Sequence, residues 1–211
     1  MQPFARRHIL TTLGLSLVPV TLALGRDQAQ PLAGNARRLP WPYAPLVPDA
    51  TADRAYGACG LGGCMYGVFV AIVDQLAEQH GEPYRSFPMD LMRYGAGGLP
   101  GQQSLCGAVN GAAAVLALFA KTAEDRGRLT GELCRWYRET NLPHYLPKGA
   151  GDAAPAQPTS VAGSLTCKDS IAGWVKVTGR PADGPERGER CRRLTADVAR
   201  KTAELLNANA L

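Results

Sequence analysis

Cysteine is the residue type in this chain that is best suited to carry chemistry. The 211 residues include six cysteines. They are Cys59, Cys64, Cys106, Cys134, Cys167 and Cys191. Thiolates bind soft metal ions and iron–sulfur clusters, whereas thiols form disulfides or pack as small apolar groups. Which of these roles each cysteine can take therefore depends on the segment that carries it.

Four of the cysteines are predicted to lie in the first turn of a helix, on the face that points into the core. They are Cys64, Cys106, Cys167 and Cys191. Cys64, for example, lies four and eight residues before Val68 and Ile72, which is the spacing of one helix face. The N-terminus of a helix carries a partial positive charge and free N–H groups, which favour a thiolate. Four such helix ends aimed at one interior would form a cage for a negatively charged cluster.

The segment from Leu105 to Ala120 is predicted to be the central helix of the fold. It is apolar, and no glycine or proline follows Gly111 until Gly127. Small residues at the beginning of this helix, among them Gly107, form a smooth stripe that lets another backbone approach closely. We predict that Gly107 and Gly111 contact a cofactor held beside Cys106.

The residues alone leave other uses of the cysteines open. Free cysteines are among the most buried residues of proteins, and an even number of them in an exported chain is also typical of structural disulfides. A reversible thiol–disulfide couple is a further alternative. Cys59 is interpreted as a spare ligand, a resolving thiol for Cys64 or a loop residue. Cys134 is interpreted as a packed thiol on a helix flank.

The coarse pattern predicts an all-α fold, a compact helical bundle with an extended Pro-rich N-terminal arm. A glycine-rich loop over 57–64 leads into a helix over 65–80, and later helices are predicted over 124–140, after Cys167 and over 189–207. No alternating apolar pattern indicates strands.

Three segments of the chain are distinguished by composition. Residues 26–54 are rich in proline and are assigned to the arm, with Trp41 and Tyr43 as its packing anchors. Residues 55–211 are assigned to a four-cysteine helical domain, within which 147–159 is predicted to be a surface linker. The third segment, residues 1–25, contains a mildly apolar run and no acidic residue.

Residues 1–25 are predicted to be an export signal. Arg6 and Arg7 are followed by a mildly apolar run that ends in a small-x-small triplet at 23–25. The paired arginines resemble a twin-arginine signal, the alternative being an ordinary secretory signal. The apolar run is shorter than the roughly 20 residues that a membrane span needs. The protein is therefore expected in the periplasm, with no membrane span in the mature chain.

The charge balance argues against nucleic acid or a membrane surface as a partner. The net charge is +5, but residues 1–25 hold two of the 23 basic residues and none of the 18 acidic ones. The surplus that remains is too small to predict binding to nucleic acid or to an anionic membrane. The sequence also lacks an ordered Ser/His/Asp set and the H-E-x-x-H and G-x-x-x-x-G-K motifs, which disfavours a conventional hydrolytic enzyme.

The spacing of the cysteines resembles the C_GCAxxG_C_C family of redox-active proteins. Four cysteines define that family, with a C-G-A-x-x-G element at the second, which here is C-G-A-V-N-G at 106–111. Further matching runs are C-x6-W at 167–174 and E-R-C-x-x-L-T-A-D-V-A at 189–199. The same module is similar to the iron–sulfur part of split-Soret cytochromes c. The resemblance covers roughly residues 56–206.

The resemblance implies an exported redox or electron-transfer protein that carries an iron–sulfur cluster, with [2Fe–2S] as the expected type. The metal ligands that it implies are Cys64, Cys106, Cys167 and Cys191. A redox partner protein, for example a cytochrome, and a homo-oligomer are further expectations. Four thiolates suit a [4Fe–4S] cluster or zinc as well, so the residues alone leave the metal open.

Covalent haem is not expected in this chain. The sequence contains no C-x-x-C-H motif, which is the usual site of haem attachment. Of the three histidines, His8 lies in the predicted signal, and His80 and His144 lie in polar surroundings. We interpret the latter two as solvated side chains, not as axial ligands.

Overall fold

The computed structural model describes residues 38–148 and 156–209. The predicted export signal, residues 26–37 of the arm and residues 149–155 of the linker lie outside this part. Helices dominate it, so the all-α prediction is confirmed. Its α-helices are α1 (Pro48–His80), α2 (Gly107–Phe119), α3 (Ala123–Glu139), α4 (Cys167–Thr178) and α5 (Pro185–Ala208). It also contains a 3₁₀ helix over Met89–Gly95 and an antiparallel pair of two-residue strands that the sequence did not indicate, β1 (Asn141–Leu142) and β2 (Ser160–Val161).

Helix α1 turns back on itself at Gly63, where φ is 85° and ψ is 178°. On a straight helix Thr51 and Gln75 would lie roughly 36 Å apart, since each residue adds about 1.5 Å. Instead, Gln75 Nε2 donates a hydrogen bond to Thr51 Oγ1 over 3.0 Å. Helix α1 is therefore a hairpin of two antiparallel halves, 48–62 and 64–80.

The first half of α1 corrects two expectations. The extended arm is shorter than predicted, because the helix begins at Pro48 and not after residue 54. The glycine-rich segment 57–64 is helical except at the turn, whereas the sequence predicts a loop there. Pro48 at the first helical position, with Asp49 after it, is a favourable helix start. The inward side chains of this half are buried, and that packing outweighs the roughly 1 kcal/mol that each glycine costs a helix.

The arm that precedes α1 is fastened to the core by two aromatic residues. The ring of Trp41 lies 5.1 Å from that of Tyr84, and the ring of Tyr43 lies 5.2 Å from that of Phe119. The backbone N–H of Trp41 also donates a hydrogen bond to the carbonyl of Leu118 over 2.9 Å. Trp41 and Tyr43 are thus the anchors of the arm.

The second half of α1 is the centre of the hydrophobic core. Its side chains from Val68 to Val73 are all buried, because α2 and α5 pack against it. By length and composition alone α1 could cross a membrane. However, half of its most apolar window is buried inside the fold, and the helix reverses at Gly63. A buried core helix passes the same compositional test as a membrane span.

Two glycines let α2 approach the second half of α1 at backbone distance. A Cβ atom on Gly111 would lie 2.6 Å from the carbonyl oxygen of Met65. A Cβ atom on Gly107 would collide with the carbonyl oxygen of Gly95 and lie 3.3 Å from Cys64 Cβ. The close backbone approach that the small residues predict is therefore present.

The C-terminal helix also holds the arm. Asn207 Oδ1 accepts a hydrogen bond from Tyr43 Oη over 2.6 Å and one from the Leu46 N–H over 3.1 Å. Asn207 Nδ2 donates to the carbonyl of Leu46 over 2.8 Å. The Asn207 amide on α5 thus provides hydrogen-bond partners for both the N–H and the carbonyl group of the buried residue Leu46.

We predict that Gly111→Ala destabilises the fold by about 1–3 kcal/mol, because the added methyl group overpacks the α1–α2 contact. Gly131→Ala is the matched control, since a Cβ there meets no atom within 4 Å. On that exposed helical position alanine is expected to stabilise by about 0.5–1 kcal/mol. Urea unfolding followed by circular dichroism measures both changes. Equal effects of the two substitutions would contradict the close packing of α2 on α1.

We predict that Asn207→Ala lowers the free energy of unfolding by about 1–3 kcal/mol, because it leaves buried groups of the arm without a hydrogen-bond partner. Asn141→Ala, at an exposed side chain, is the control and should stay within about 0.5 kcal/mol of the wild type. Urea unfolding compares the three proteins. A wild-type midpoint for Asn207→Ala would show that the arm does not depend on this side chain.

Candidate metal centre

A single β-bridge places Cys106 beside Cys167. Leu105, the residue before Cys106, pairs in antiparallel fashion with Thr166, the residue before Cys167. The Cys106 N–H also donates to the carbonyl of Leu165 over 2.8 Å. The beginnings of α2 and α4 therefore lie side by side, although the two segments are far apart in sequence.

The turn in α1 is flanked by two cysteines. Cys59 lies in the last turn of the first half, and Cys64 is the first residue of the second half, as the sequence predicts for Cys64. The turn residue Gly63 has a positive φ, and a Cβ on it would lie 2.7 Å from Ala96 Cβ. Only glycine fits such a backbone without strain. The turn thus brings both thiols to the same end of the α1 hairpin.

Cys191 reaches the same region from α5, but not from the first turn of that helix. The helix begins at Pro185, so Cys191 is two turns inside it and the predicted first-turn position is wrong. Pro185 at the first helical position and Glu186 after it extend the helix towards the N-terminus. Cys191 therefore lies beyond the reach of the α5 N-terminal dipole, which falls off within the first turn.

The expectation of free helix N–H groups holds for α2 and fails for α4. At α2, the N–H groups of Val109 and Ala108 act on the Cys106 sulfur and lower its pKa, although burial, the largest effect, raises the pKa above its ordinary value. At α4, the Cys167 N–H donates instead to the carbonyl of Ser104 over 2.6 Å. The next N–H, that of Lys168, is taken by the carbonyl of Gln103 at 3.0 Å. The carbonyl groups of the loop before α2 therefore accept the hydrogen bonds that the sequence analysis expects these N–H groups to donate to a bound metal cluster.

Five of the six cysteine side chains interact with one another, and we call them the cysteine cluster. They are Cys59, Cys64, Cys106, Cys167 and Cys191. The sixth, Cys134, lies half-buried on α3, and burial raises its pKa. The convergence that the four helix positions predict is therefore present, with Cys59 added.

Cys64 interacts with three other members of the cysteine cluster, Cys59, Cys106 and Cys191. Its interaction with Cys191 favours its thiolate, but the interaction with Cys59, together with burial, raises the pKa of Cys64 well above its ordinary value. The same contact with Cys64, together with burial, raises the pKa of Cys191. Burial and the neighbouring Cys106 and Cys191 raise the pKa of Cys167 to about 11. Thiols this close resist holding several negative charges at once, whereas a bound cation would favour the deprotonated forms.

A cavity of about 330 Å³ opens among these thiols. The cysteines that line it are Cys59, Cys64, Cys167 and Cys191. Its volume is far above the roughly 15 Å³ that one water molecule requires. Arg187 and Arg192 also line the cavity, so positive charge lies at its wall.

Behind the cavity, Cys106 faces a buried polar group. Cys106 is 5% exposed, and it interacts with Tyr137, which is fully buried on α3. The Tyr137 hydroxyl donates a hydrogen bond to Ser170 Oγ over 3.1 Å. Burial is the largest of the effects that raise the pKa of Tyr137, so this phenol stays protonated.

Arg190 places an unpaired positive charge next to the cysteine cluster. Its side chain is 1% exposed, and Arg190 Nη2 donates a hydrogen bond to Ser170 Oγ over 2.9 Å. Within residues 38–148 and 156–209 no carboxylate forms an ion pair with it, and its Nε has no hydrogen-bond partner. The adjacent Glu189 instead forms an ion pair with Arg193, in which Glu189 Oε1 lies 2.7 Å from Arg193 Nε. The Arg190 charge lowers the pKa values of Cys167 and Cys191.

The residues of this region fit an anionic metal–thiolate centre. A buried guanidinium without a carboxylate is costly unless another negative charge lies nearby. Thiolates of the cysteine cluster are the groups that can supply this charge. In the part of the chain that the structure covers, no three His, Cys, Asp or Glu side chains have the geometry of a metal site. Binding a metal would therefore require the sulfur atoms to move closer together, which new cysteine rotamers can contribute to.

The other residues predicted from the sequence lie at the edge of this region or away from it. Gly107 and Gly111 pack against the backbone around Met65 and do not line the cavity, so their contact with a cofactor stays a prediction. His80 and His144 are exposed.

Sequence reasoning missed the polar residues that surround the thiols. Tyr137, Ser170 and Arg190 are distant in sequence, and no motif joins them. The spacing of Ser170, three residues after Cys167, and the position of Arg190 directly before Cys191 were the available signals. Both are weak, because a serine or an arginine on a helix is usually solvated.

Comparisons with known proteins agree with this geometry. A sequence model of the family described as "Putative redox-active protein (C_GCAxxG_C_C)" matches residues 63–205. Split-Soret cytochrome c from Desulfovibrio desulfuricans is 34% identical over 216 aligned positions, which cover 96% of this chain and 77% of that protein.

The fold is also similar to a solved structure of split-Soret cytochrome c from Desulfovibrio desulfuricans, described as containing a novel iron centre. The TM-score is 0.75 and the identity 35%, over 81% of this chain and 72% of that one. The chain therefore belongs to the C_GCAxxG_C_C family of redox-active proteins.

Proposed function

We propose that this protein transfers electrons through an iron–sulfur cluster held by its cysteine cluster. Its ligands are those of the family pattern, Cys64, Cys106, Cys167 and Cys191, and the cluster type is [2Fe–2S]. The observation that carries the proposal is the meeting of five cysteine side chains, two from α1 and one each from α2, α4 and α5, beside a buried guanidinium. Among the described residues, that guanidinium has no carboxylate partner. The iron centre of the similar cytochrome structure supports iron as the metal.

A bound iron–sulfur cluster would supply one-electron redox chemistry at a potential set by its surroundings. The protein's own part is electrostatic. Arg190 and the cavity arginine Arg187 favour negative charge on the sulfur atoms of Cys167 and Cys191. The N–H groups at the beginning of α2 do the same for Cys106. These groups stabilise the more negative, reduced state more than the oxidised state.

The surroundings of the cavity support an electron-transfer partner. Two exposed apolar side chains, Leu61 and Leu99, follow cavity residues closely in the chain and are 73% and 50% exposed. Arg187 and Arg192 lie at the same cavity. A redox protein such as a cytochrome, with acidic residues around an apolar contact, would complement this face. Export to the periplasm through the twin-arginine signal remains part of the proposal and comes from the sequence alone.

Thiol–disulfide exchange is a second candidate, which the Cys59–Cys64 contact favours. The interaction with Cys64 lowers the pKa of Cys59, and a thiolate is the species that attacks a disulfide. Under this alternative, mild oxidation would remove two thiols per chain from a protein without iron. The structure pairs none of the six cysteines in a disulfide, so it gives no support to a disulfide-stabilised binding module.

We predict that the full chain, purified anaerobically, is coloured and contains about two iron and about two acid-labile sulfide atoms per chain. Cys167→Ala and Cys191→Ala should remove most of both, because each takes away one sulfur ligand. Cys134→Ala should not, since Cys134 lies outside the cysteine cluster. Iron and sulfide analysis with visible and EPR spectra provides the test. A colourless, iron-free wild type, or one that holds zinc, would rule out the proposed function.

We predict that Arg190→Met lowers the reduction potential of the bound centre. Removing a buried positive charge disfavours the reduced state, which carries one more negative charge than the oxidised state. Arg190→Lys, which keeps the charge, should shift the potential less. Arg135→Met, at an exposed arginine on α3, is the matched control and should leave the potential unchanged. An EPR-monitored redox titration measures the shifts, and an unchanged or raised potential in Arg190→Met would contradict the assigned role.

A further inference from the structure

Cys59 is absent from the four-cysteine pattern of the family, yet it lines the same cavity as Cys64. The two thiols lie on opposite sides of the turn at Gly63, one at the end of the first half of α1 and one at the start of the second. The family-pattern cysteine Cys106, by contrast, does not line the cavity. Cys59 is therefore better placed for a guest in the cavity than one of the predicted ligands.

The backbone around Cys59 is fixed by close packing. A Cβ on Gly67 would lie 3.0 Å from Cys59 Cα and 2.8 Å from Thr195 Cγ2. The two halves of α1 and helix α5 therefore meet closely at this level. Cys59 is 8% exposed, so its thiol is held at the cavity by packed helices and does not swing in from a loop.

We propose that Cys59 and Cys64 are interchangeable ligands for one coordination position of the metal centre. This inference rests on the proposed function and adds one residue to its ligand set. Cys64 occupies the position in the wild type, and Cys59 binds in its place when Cys64 is missing, releasing its proton to solvent. The turn at Gly63 is what gives one position two candidate sulfurs.

The test compares alanine variants of the full chain, because alanine cannot ligate a metal. Cys64→Ala is expected to keep most of the wild-type iron and sulfide, with altered EPR g values, since Cys59 supplies the sulfur. The double variant Cys59→Ala/Cys64→Ala should hold at least about tenfold less iron than Cys64→Ala. Cys64→Ala/Cys134→Ala is the matched control and should behave like Cys64→Ala.

Iron content and circular dichroism separate ligation from folding. The double variant should retain the helix content of the control while losing its iron. Iron loss in Cys64→Ala as complete as in the double variant would overturn the inference, as would equal iron in all three variants. A wild type without iron would overturn the proposed function itself, and this ligand with it. In that way the two failures are distinguished.

Discussion

The buried charge of Arg190 is the constraint on which the interpretation of this fold depends. A guanidinium that is almost fully buried must be compensated, and Ser170 Oγ, its hydrogen-bond partner, is neutral. Because Glu189 pairs with Arg193, the thiols of the cysteine cluster are the groups beside Arg190 that can supply negative charge on deprotonation. Neutral thiols alone would leave this buried charge uncompensated. The same charge that is costly in an apolar core thus becomes stabilising beside an anionic centre.

The cysteine cluster forms because three structural features bring its cysteines to one region of the fold. The turn at Gly63 reverses α1, the bridge between Leu105 and Thr166 joins the starts of two helices, and α5 packs along the α1 hairpin. The turn and the bridge are short, whereas the third feature is the packing of a long helix, α5. Glycine permits the close backbone contacts at the turn and at the α1–α2 crossing.

The sequence predicted much of the fold and part of the site. Helical spacing located α2, α3 and the start of α4 to within a few residues, because apolar periodicity survives without tertiary context. It failed for residues 48–62, where glycines weigh against a helix locally and burial against α5 stabilises one. It also failed for the amide groups of Cys167 and Lys168, which bond to a loop that no local pattern connects to them. Arg190 could not be singled out, because its burial is a property of the packed helices.

Cys59 shows why a family pattern can be narrower than the chemistry of one member. A pattern of four cysteines records positions along the chain, whereas ligation depends on which sulfurs reach a common cavity. In a helical hairpin, residues on either side of the turn are neighbours in space. Cys59 and Cys64 therefore reach the cavity from the two halves of α1. Under the proposed exchange of ligands, one of these two thiols binds the metal as a thiolate while its neighbour stays protonated. The position of a turn, which spacing rules treat as a boundary, is therefore itself part of the site.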